Sequence, residues 1–252
     1  MHYDRTGDFL KKMVEKCVKE YVSGVSREEF IIPFCWILGY ISHVTADLVV
    51  HPVVSQIVGE YLGHEKEHKE CEMVQDSYIF KKLTGRDIEE SHIIEELENF
   101  SSDDGGDDIS PTIKELWNEL FQKYFPDEFE STPPDIQDWH DKFTSLLKEN
   151  GILQKFGRAF GVSYKRFSET RWVNIPYYIG RIKSPRGTPC TYDQVFEKAV
   201  ECVTDRWELL AQAMENGDAT IFTDKIVNYN LDRGEDDIGQ LVFWKEGTTE
   251  FA

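Results

Sequence analysis

Apolar residues recur at four-residue steps near the start of the chain. Phe9, Met13, Cys17 and Tyr21 stand among lysines and glutamates, which predicts an amphipathic helix over 6–22. Ser26 followed by Glu28 and Glu29 predicts the start of a second helix. From Ile31 to Tyr40 this segment is apolar all round, the pattern of a helix at the centre of a bundle. It is predicted to run to about Val50, with Pro52 ending or bending it just after His51. Gly63 opens a third helix over 64–82, and further helices are predicted over 88–99, 111–124, 134–149, 151–170 and 191–215. The tail from Thr220 reads as irregular, with strand character at Gln240 to Trp244. The turn-rich stretch from Asn228 to Gly234 is predicted to cap the bundle without a catalytic role. The fold class expected is all-α: a single multi-helix bundle, residues 1–252 as one domain.

Charge narrows the range of partners. Lys and Arg number 28 against 47 Asp and Glu, a net charge of −19. Such a surface repels nucleic acid and anionic lipid headgroups and tolerates cations and zwitterionic or neutral substrates. The five cysteines are scattered and odd in number with no C-x-x-C pair, which predicts buried free thiols and not a disulfide framework. No stretch is read as a transmembrane span and no signal peptide is read in the first residues, so the expectation on that start is a soluble, cytoplasmic chain. The acidic stretch at 101–108 lacks the alternation and closing glutamate of an EF-hand and reads as a solvated loop.

Histidine carries the chemistry. All seven histidines lie in the first 140 residues. His43, Asp47 and His51 follow one another at four-residue steps, and His68 and Glu72 repeat the spacing. On a helix such residues share one face, about 6 Å apart along the axis, and two of them can close on one cation. Asp47 sits among Leu48, Val49 and Val50, where a carboxylate must find a cation or several donors. One ion gripped by His43 and Asp47, a second taking His51, and Asp47 bridging two ions are all open arrangements. His51, His68 and Glu72 give two imidazoles and one carboxylate, the ligand count of a catalytic zinc that keeps a position for water. Such a site activates water near neutral pH, and two or three ions together clamp a phosphate ester. The competing reading of each pair alone is a hydrogen-bonded His–acid pair. His64 and Asp76 share the stripe but are explained as well by a solvated face, while His92 and His140 read as surface residues.

The segment from Phe34 to Pro52, FCWILGYISHVTADLVVHP, together with the following HKECE at 68–72, resembles the core signature of the zinc-dependent phospholipase C family, which includes bacterial phosphatidylcholine-hydrolysing enzymes and the clostridial alpha-toxin. The opening MHYDRTGDF is similar to the family's segment in which a histidine ligand precedes a helix. The likeness covers about residues 1–80. It implies an α-helical bundle with a zinc site of two or three ions between central helices. His2, His43 and Asp47 would serve one zinc and His51, His68 and Glu72 another, with Asp47 reaching the third. Asp47 and Glu72 are the carboxylates expected to be catalytic in this chain, although the family's candidate general base is an aspartate upstream of the position of His2. The implied reaction is hydrolysis of a phospholipid or other phosphodiester, giving diacylglycerol and a phosphorylated headgroup. Family members carry a further segment before the position of His2, with the mature amino terminus, a histidine and an aspartate. The expectation is a chain N-terminally incomplete relative to them. The gap from Asp47 to His51 is also shorter than in the secreted enzymes.

Two other functions compete. One is a phosphodiesterase or nuclease acting on a soluble substrate, which the net charge disfavours for a polyanion. The other is a non-catalytic helical protein whose zinc only holds helices together. In the second half, Arg158, Lys165, Arg166 and Arg171 read as a surface ion-pair network, and Trp172, Tyr177 and Tyr178 as core aromatics in preference to a choline pocket.

Overall fold

The periodic stripe of the first helix is what the interior is built on. In the computed structural model, which describes residues 4–88, 108–148, 176–245 and 250–251, α1 spans Thr6–Ser23 and buries Phe9, Leu10, Met13, Val14, Cys17 and Val18. Gly24 ends it in the left-handed region, φ 71°, where its N–H reaches the Tyr21 carbonyl. Helix α2 (Arg27–Val58) opens on Ser26 as its N-cap. The Ser26 hydroxyl accepts from the Glu29 N–H at 3.3 Å and donates to the Glu29 carboxylate at 3.0 Å. Pro52 does not end α2 as expected. A proline inside a helix removes one donor to the preceding turn, and neighbouring packing offsets that loss where the residue is buried, as Pro52 is.

Helix α3 (Glu65–Thr84) starts after Gly63, φ 93°, and stops at Gly85, with Lys81 and Lys82 in its last turn opposing the negative end of the helix dipole. After it come α4 (Pro111–Tyr124), with Pro at its first position, the short α5 (Pro126–Ser131) and α6 (Ile136–Lys148). A π-helical turn at Pro176–Gly180 precedes a small antiparallel pair, β1 (Ile182–Lys183) with β2 (Pro189–Cys190). Helix α7 (Tyr192–Asn216) and α8 (Thr220–Thr223) follow, then a second antiparallel pair, β3 (Tyr229–Asn230) with β4 (Glu235–Asp236). The fold is all-α, with strands of two residues. Extended structure sits earlier than the tail pattern suggested: Leu241 makes one isolated bridge to Glu235, and Trp244 is instead a buried core side chain. The predicted segments 88–99 and 151–170, the 101–108 loop, His2, His92, and the group Arg158, Lys165, Arg166, Arg171 and Trp172 fall wholly or almost wholly outside the described residues.

The chain forms two compact units. One draws on Met1–His51, Ile109–Ile136 and Glu197–Thr248, the other on Pro52–Asp108, Gln137–Phe196 and Thr249–Ala252. In the first, Phe9 is surrounded by the rings of Trp117, Phe121, Tyr124 and Phe125, with centroids 5.4–6.0 Å away. Leu210, Ala213, Phe222, Ile226, Tyr229 and Leu231 complete the same core. The two ends of this unit are clasped. Thr6 Oγ1 donates to the Tyr229 carbonyl at 3.0 Å and accepts from the Tyr229 N–H at 2.8 Å. The Asp8 N–H donates to Asn228 Oδ1 at 3.0 Å, and Asn228 Nδ2 donates back to Asp8 Oδ2 at 3.2 Å. Gly7 lies between these contacts, and a Cβ there would stand 1.8 Å from the Val227 carbonyl oxygen.

In the second unit, Gln75 Nε2 donates to the Tyr178 carbonyl, and Asp193 accepts from Tyr78 and pairs with Lys82 at 2.7 Å. Tyr178 is buried as expected, whereas Tyr177 is largely exposed and is held by its hydroxyl, which donates to the Ile57 carbonyl at 2.6 Å. A tyrosine ring at a surface needs only its polar tip anchored, which is why spacing alone misplaced it.

One expectation about membranes changes. By length and composition α2 is long and apolar enough to cross one. Half of its most apolar window is buried inside the protein, as in a core helix. A reading by uninterrupted apolar runs stops at Ser42 and His43 and so does not find it.

Two measurements test this packing. Gly7→Ala drives a methyl into main chain and should lower stability by about 1–3 kcal/mol. Gly39→Ala, at an exposed helical position with nothing within 4 Å of the new Cβ, should raise it by roughly 0.5–1 kcal/mol. Urea denaturation of the two variants beside the parent reads both signs. Burial pushes the Cys17 thiol up to about 12 and those of Cys190 and Cys202 to about 11, and it raises Cys71 further, helped by Glu72. These four should resist iodoacetamide at neutral pH in the native protein and react in denaturant, by mass spectrometry of the labelled peptides.

Candidate metal centre

Four-residue spacing on α2 sets His43, Asp47 and His51 in one row. The carboxylate of Asp47 lies between the two imidazoles and turns one oxygen toward each. Oδ2 is 3.6 Å from His43 Nδ1, and Oδ1 is 3.8 Å from His51 Nε2. Asp47 and His51 are nearly closed off, at 14% and 15% exposure, while His43 is half exposed. Among the described residues, Asp47 Oδ2 is a buried atom without a hydrogen-bond partner.

The orientation of His51 is fixed from outside the helix. Its Nδ1 lies 3.0 Å from the main-chain carbonyl oxygen of Leu231. A carbonyl only accepts, so Nδ1 carries the proton in this bond and the lone pair of a neutral ring resides on Nε2, the atom beside Asp47. Nearby, Trp244 Nε1 donates to the Val49 carbonyl at 3.0 Å.

The second unit holds the other pair. His68 is buried on α3, with Nδ1 3.4 Å from Glu72 Oε1. Ser55 Oγ is 3.4 Å from His68 Nε2, and the Tyr61 ring meets the imidazole edge-on at 5.2 Å. Around Glu72 the potential is negative. The buried phenol of Tyr192 is raised by desolvation first and then by Asp76, Cys71 and Glu72. Burial and then Glu70 push Tyr178 to about 12. Both phenols stay neutral at physiological pH. His64 belongs to the local turn: its Nδ1 faces the Glu60 carbonyl at 3.1 Å and its ring packs on Gly59.

These separations suit a zinc ion in part. At the tetrahedral angle, two ligand bonds of 2.0–2.2 Å set their donor atoms about 3.3–3.6 Å apart; His68–Glu72 at 3.4 Å and His43–Asp47 at 3.6 Å meet that spacing, and His51–Asp47 at 3.8 Å lies just beyond it. Imidazole with carboxylate is also the donor chemistry zinc takes. Among the described residues no group of three or more His, Cys, Asp or Glu side chains comes together to hold an ion, so pairs are what the fold assembles. His2 lies outside the described residues. Two participants went unread in the sequence. Ser55 continues the row of α2 one step past His51, a signal that was available. The Leu231 carbonyl had none, being a backbone atom 180 residues away.

The sequence pattern of the zinc dependent phospholipase C family matches residues 1–127. No curated protein matches the chain, and no solved structure does. The matched span takes in all the candidate ligands, and the chemistry the family carries is zinc-dependent hydrolysis of phospholipid. Half of the chain, with all three His–acid pairs inside it, therefore answers to one description: the chain belongs to the zinc-dependent phospholipase C family.

Proposed function

We propose that this protein hydrolyses a phosphodiester, most simply that of a zwitterionic phospholipid, with zinc, for which His2, His43, Asp47 and His51 are the ligands in one unit and His68 and Glu72 those in the other. The observation that carries the reading is the Asp47 carboxylate, buried on an apolar helix with each oxygen facing a different imidazole. A carboxylate in that setting calls for positive charge, and a neutral imidazole whose lone pair points at it calls for the same. Zinc, when bound, supplies the Lewis-acid charge that a phosphate ester needs and makes water acidic enough to attack near neutral pH.

The chain's own residues do the rest. Asp47 and Glu72 are the carboxylates that accept a proton from the attacking water. The water oxygen bonds to phosphorus, the bond from phosphorus to the glycerol oxygen breaks, and the proton ends on that oxygen, so diacylglycerol and a phosphorylated headgroup leave. His51, held through Nδ1, keeps its Nε2 turned toward Asp47. The net charge of −19 favours zwitterionic over anionic headgroups.

Zinc content by mass spectrometry, with turnover of a chromogenic phosphocholine diester, tests the proposal. Zinc should copurify, a chelator should abolish turnover, and added zinc should restore it. Asp47→Asn and Glu72→Gln should each lower kcat by about 100-fold or more with circular dichroism unchanged. A protein that binds no zinc and stays inactive after its addition overturns the proposal. Zinc bound tightly with no hydrolysis of any phosphate ester would assign the metal to structure alone.

A further inference from the structure

We propose that the β3–β4 hairpin, which lies beyond the family-matched span, is a positioning element of the metal centre. The Leu231 carbonyl locks His51 in the Nδ1–H tautomer, and the clasp on Thr6 holds that carbonyl in place. The inference rests on the zinc reading above for its purpose, though not for its geometry.

The chain of contacts is short and buried. Thr6 is fully buried and holds both main-chain polar groups of Tyr229. Tyr229 opens β3, which pairs with β4 through Tyr229 opposite Asp236 and Asn230 opposite Glu235. The connecting turn is closed by the Arg233 N–H on Asn230 Oδ1 at 3.1 Å and by Gly234 at φ 65°. Leu231, itself buried, is the first residue past the strand and directs its carbonyl oxygen to His51. From the other side, the buried Arg206 guanidinium lies over the rings of Tyr229 and Phe243 at 5.5 and 5.2 Å and donates to the Tyr229 hydroxyl at 3.2 Å. A hairpin of two-residue strands would not hold an atom to a fraction of an ångström by its own ladder. Clamped by Thr6, Asn228 and Arg206, it does.

What this accomplishes is a choice between two ring nitrogens. A metal-ligating histidine commonly donates its other N–H to a carbonyl or carboxylate, and losing that partner typically costs 10–100-fold in metal affinity. Without Leu231, a neutral His51 would be free to place its proton on Nε2 and donate it to Asp47 Oδ1, closing both groups to an ion. With Leu231 in place that internal bond is suppressed.

The test uses the full chain with ¹⁵N-labelled histidine, stripped of metal by chelation and kept mildly alkaline so that the rings are neutral. Imidazole nitrogen shifts should show His51 protonated at Nδ1, and zinc titration by calorimetry should give the reference affinity. In Thr6→Val, which keeps the shape and loses both hydrogen bonds, the His51 signals should move toward the Nε2–H form and zinc affinity should fall about 10–100-fold. Thr6→Ser, which keeps the hydroxyl, should retain both properties. A parent protein whose His51 carries its proton on Nε2 overturns the proposal even if no variant folds, as does Thr6→Val with tautomer and affinity unchanged. Should the parent show the Nδ1–H form yet bind no zinc, the hydrolase reading fails while the hold of Leu231 on His51 stands.

Discussion

A carboxylate on the most apolar of the described helices is the constraint from which the proposed site follows. Asp47 stands one turn from His43 and one turn from His51, in a stretch whose other faces carry Ile41, Val44, Leu48 and Val49 into the core. Removing a carboxylate from water costs several kcal/mol unless positive charge or several donors compensate. The surroundings give Asp47 imidazoles on both sides, and one of those has its N–H drawn away by Leu231. Two electron-rich atoms 3.8 Å apart repel unless a cation lies between them. A neutral His51 and the Asp47 carboxylate thus face each other as two acceptors, which a proton or the proposed metal ion between them would reconcile.

How far this could be read from sequence differs by level. The first helix was legible almost to the residue, because the four-residue recurrence of Phe9, Met13 and Cys17 is the same physics that buries them. The row on α2 was legible for the same reason: spacing fixes which side chains share a helix face whatever the tertiary structure does. Of the two outcomes expected at Pro52, an end or a bend, the end does not occur, because local rules weigh the missing donor and not the packing that makes up for it. The hairpin and the Leu231 carbonyl were not legible. A main-chain oxygen has no residue-type signature, and its partner lies 180 residues earlier. The stretch Asn228–Gly234 announced a turn correctly but not what the turn holds.

The second unit treats its histidine differently. His68 is buried with Ser55 at one nitrogen and Glu72 at the other, so both ring positions are spoken for by side chains that themselves rotate. His51 by contrast is held by a backbone atom in a clamped turn. A serine hydroxyl both donates and accepts, so at His68 it is the Glu72 carboxylate beside Nδ1, an acceptor like the Leu231 carbonyl, that favours one tautomer. The neutral phenols of Tyr178 and Tyr192 beside Glu70 and Glu72 fit the same economy: in a strongly acidic environment, burial keeps them as donors and adds no further negative charge.

The first unit also shows why the half that matches the family is not self-sufficient. Phe9, Leu10 and Met13 are buried in a core that includes Leu210, Ala213, Phe222, Ile226 and Leu231, all of which lie after residue 127. Gly7 has no room for a Cβ because the Val227 carbonyl occupies that place. A stretch of chain that needs distant residues to close its core cannot set the positions of its own side chains independently of them. In the proposed site the histidine row would supply the chemistry and later residues its positioning, so drift in Asn228–Gly234 would alter that site without touching a proposed ligand. On that reading, the Thr6–Tyr229 clasp bears on the proposed site as much as the imidazoles do, because it fixes the segment that carries the Leu231 carbonyl.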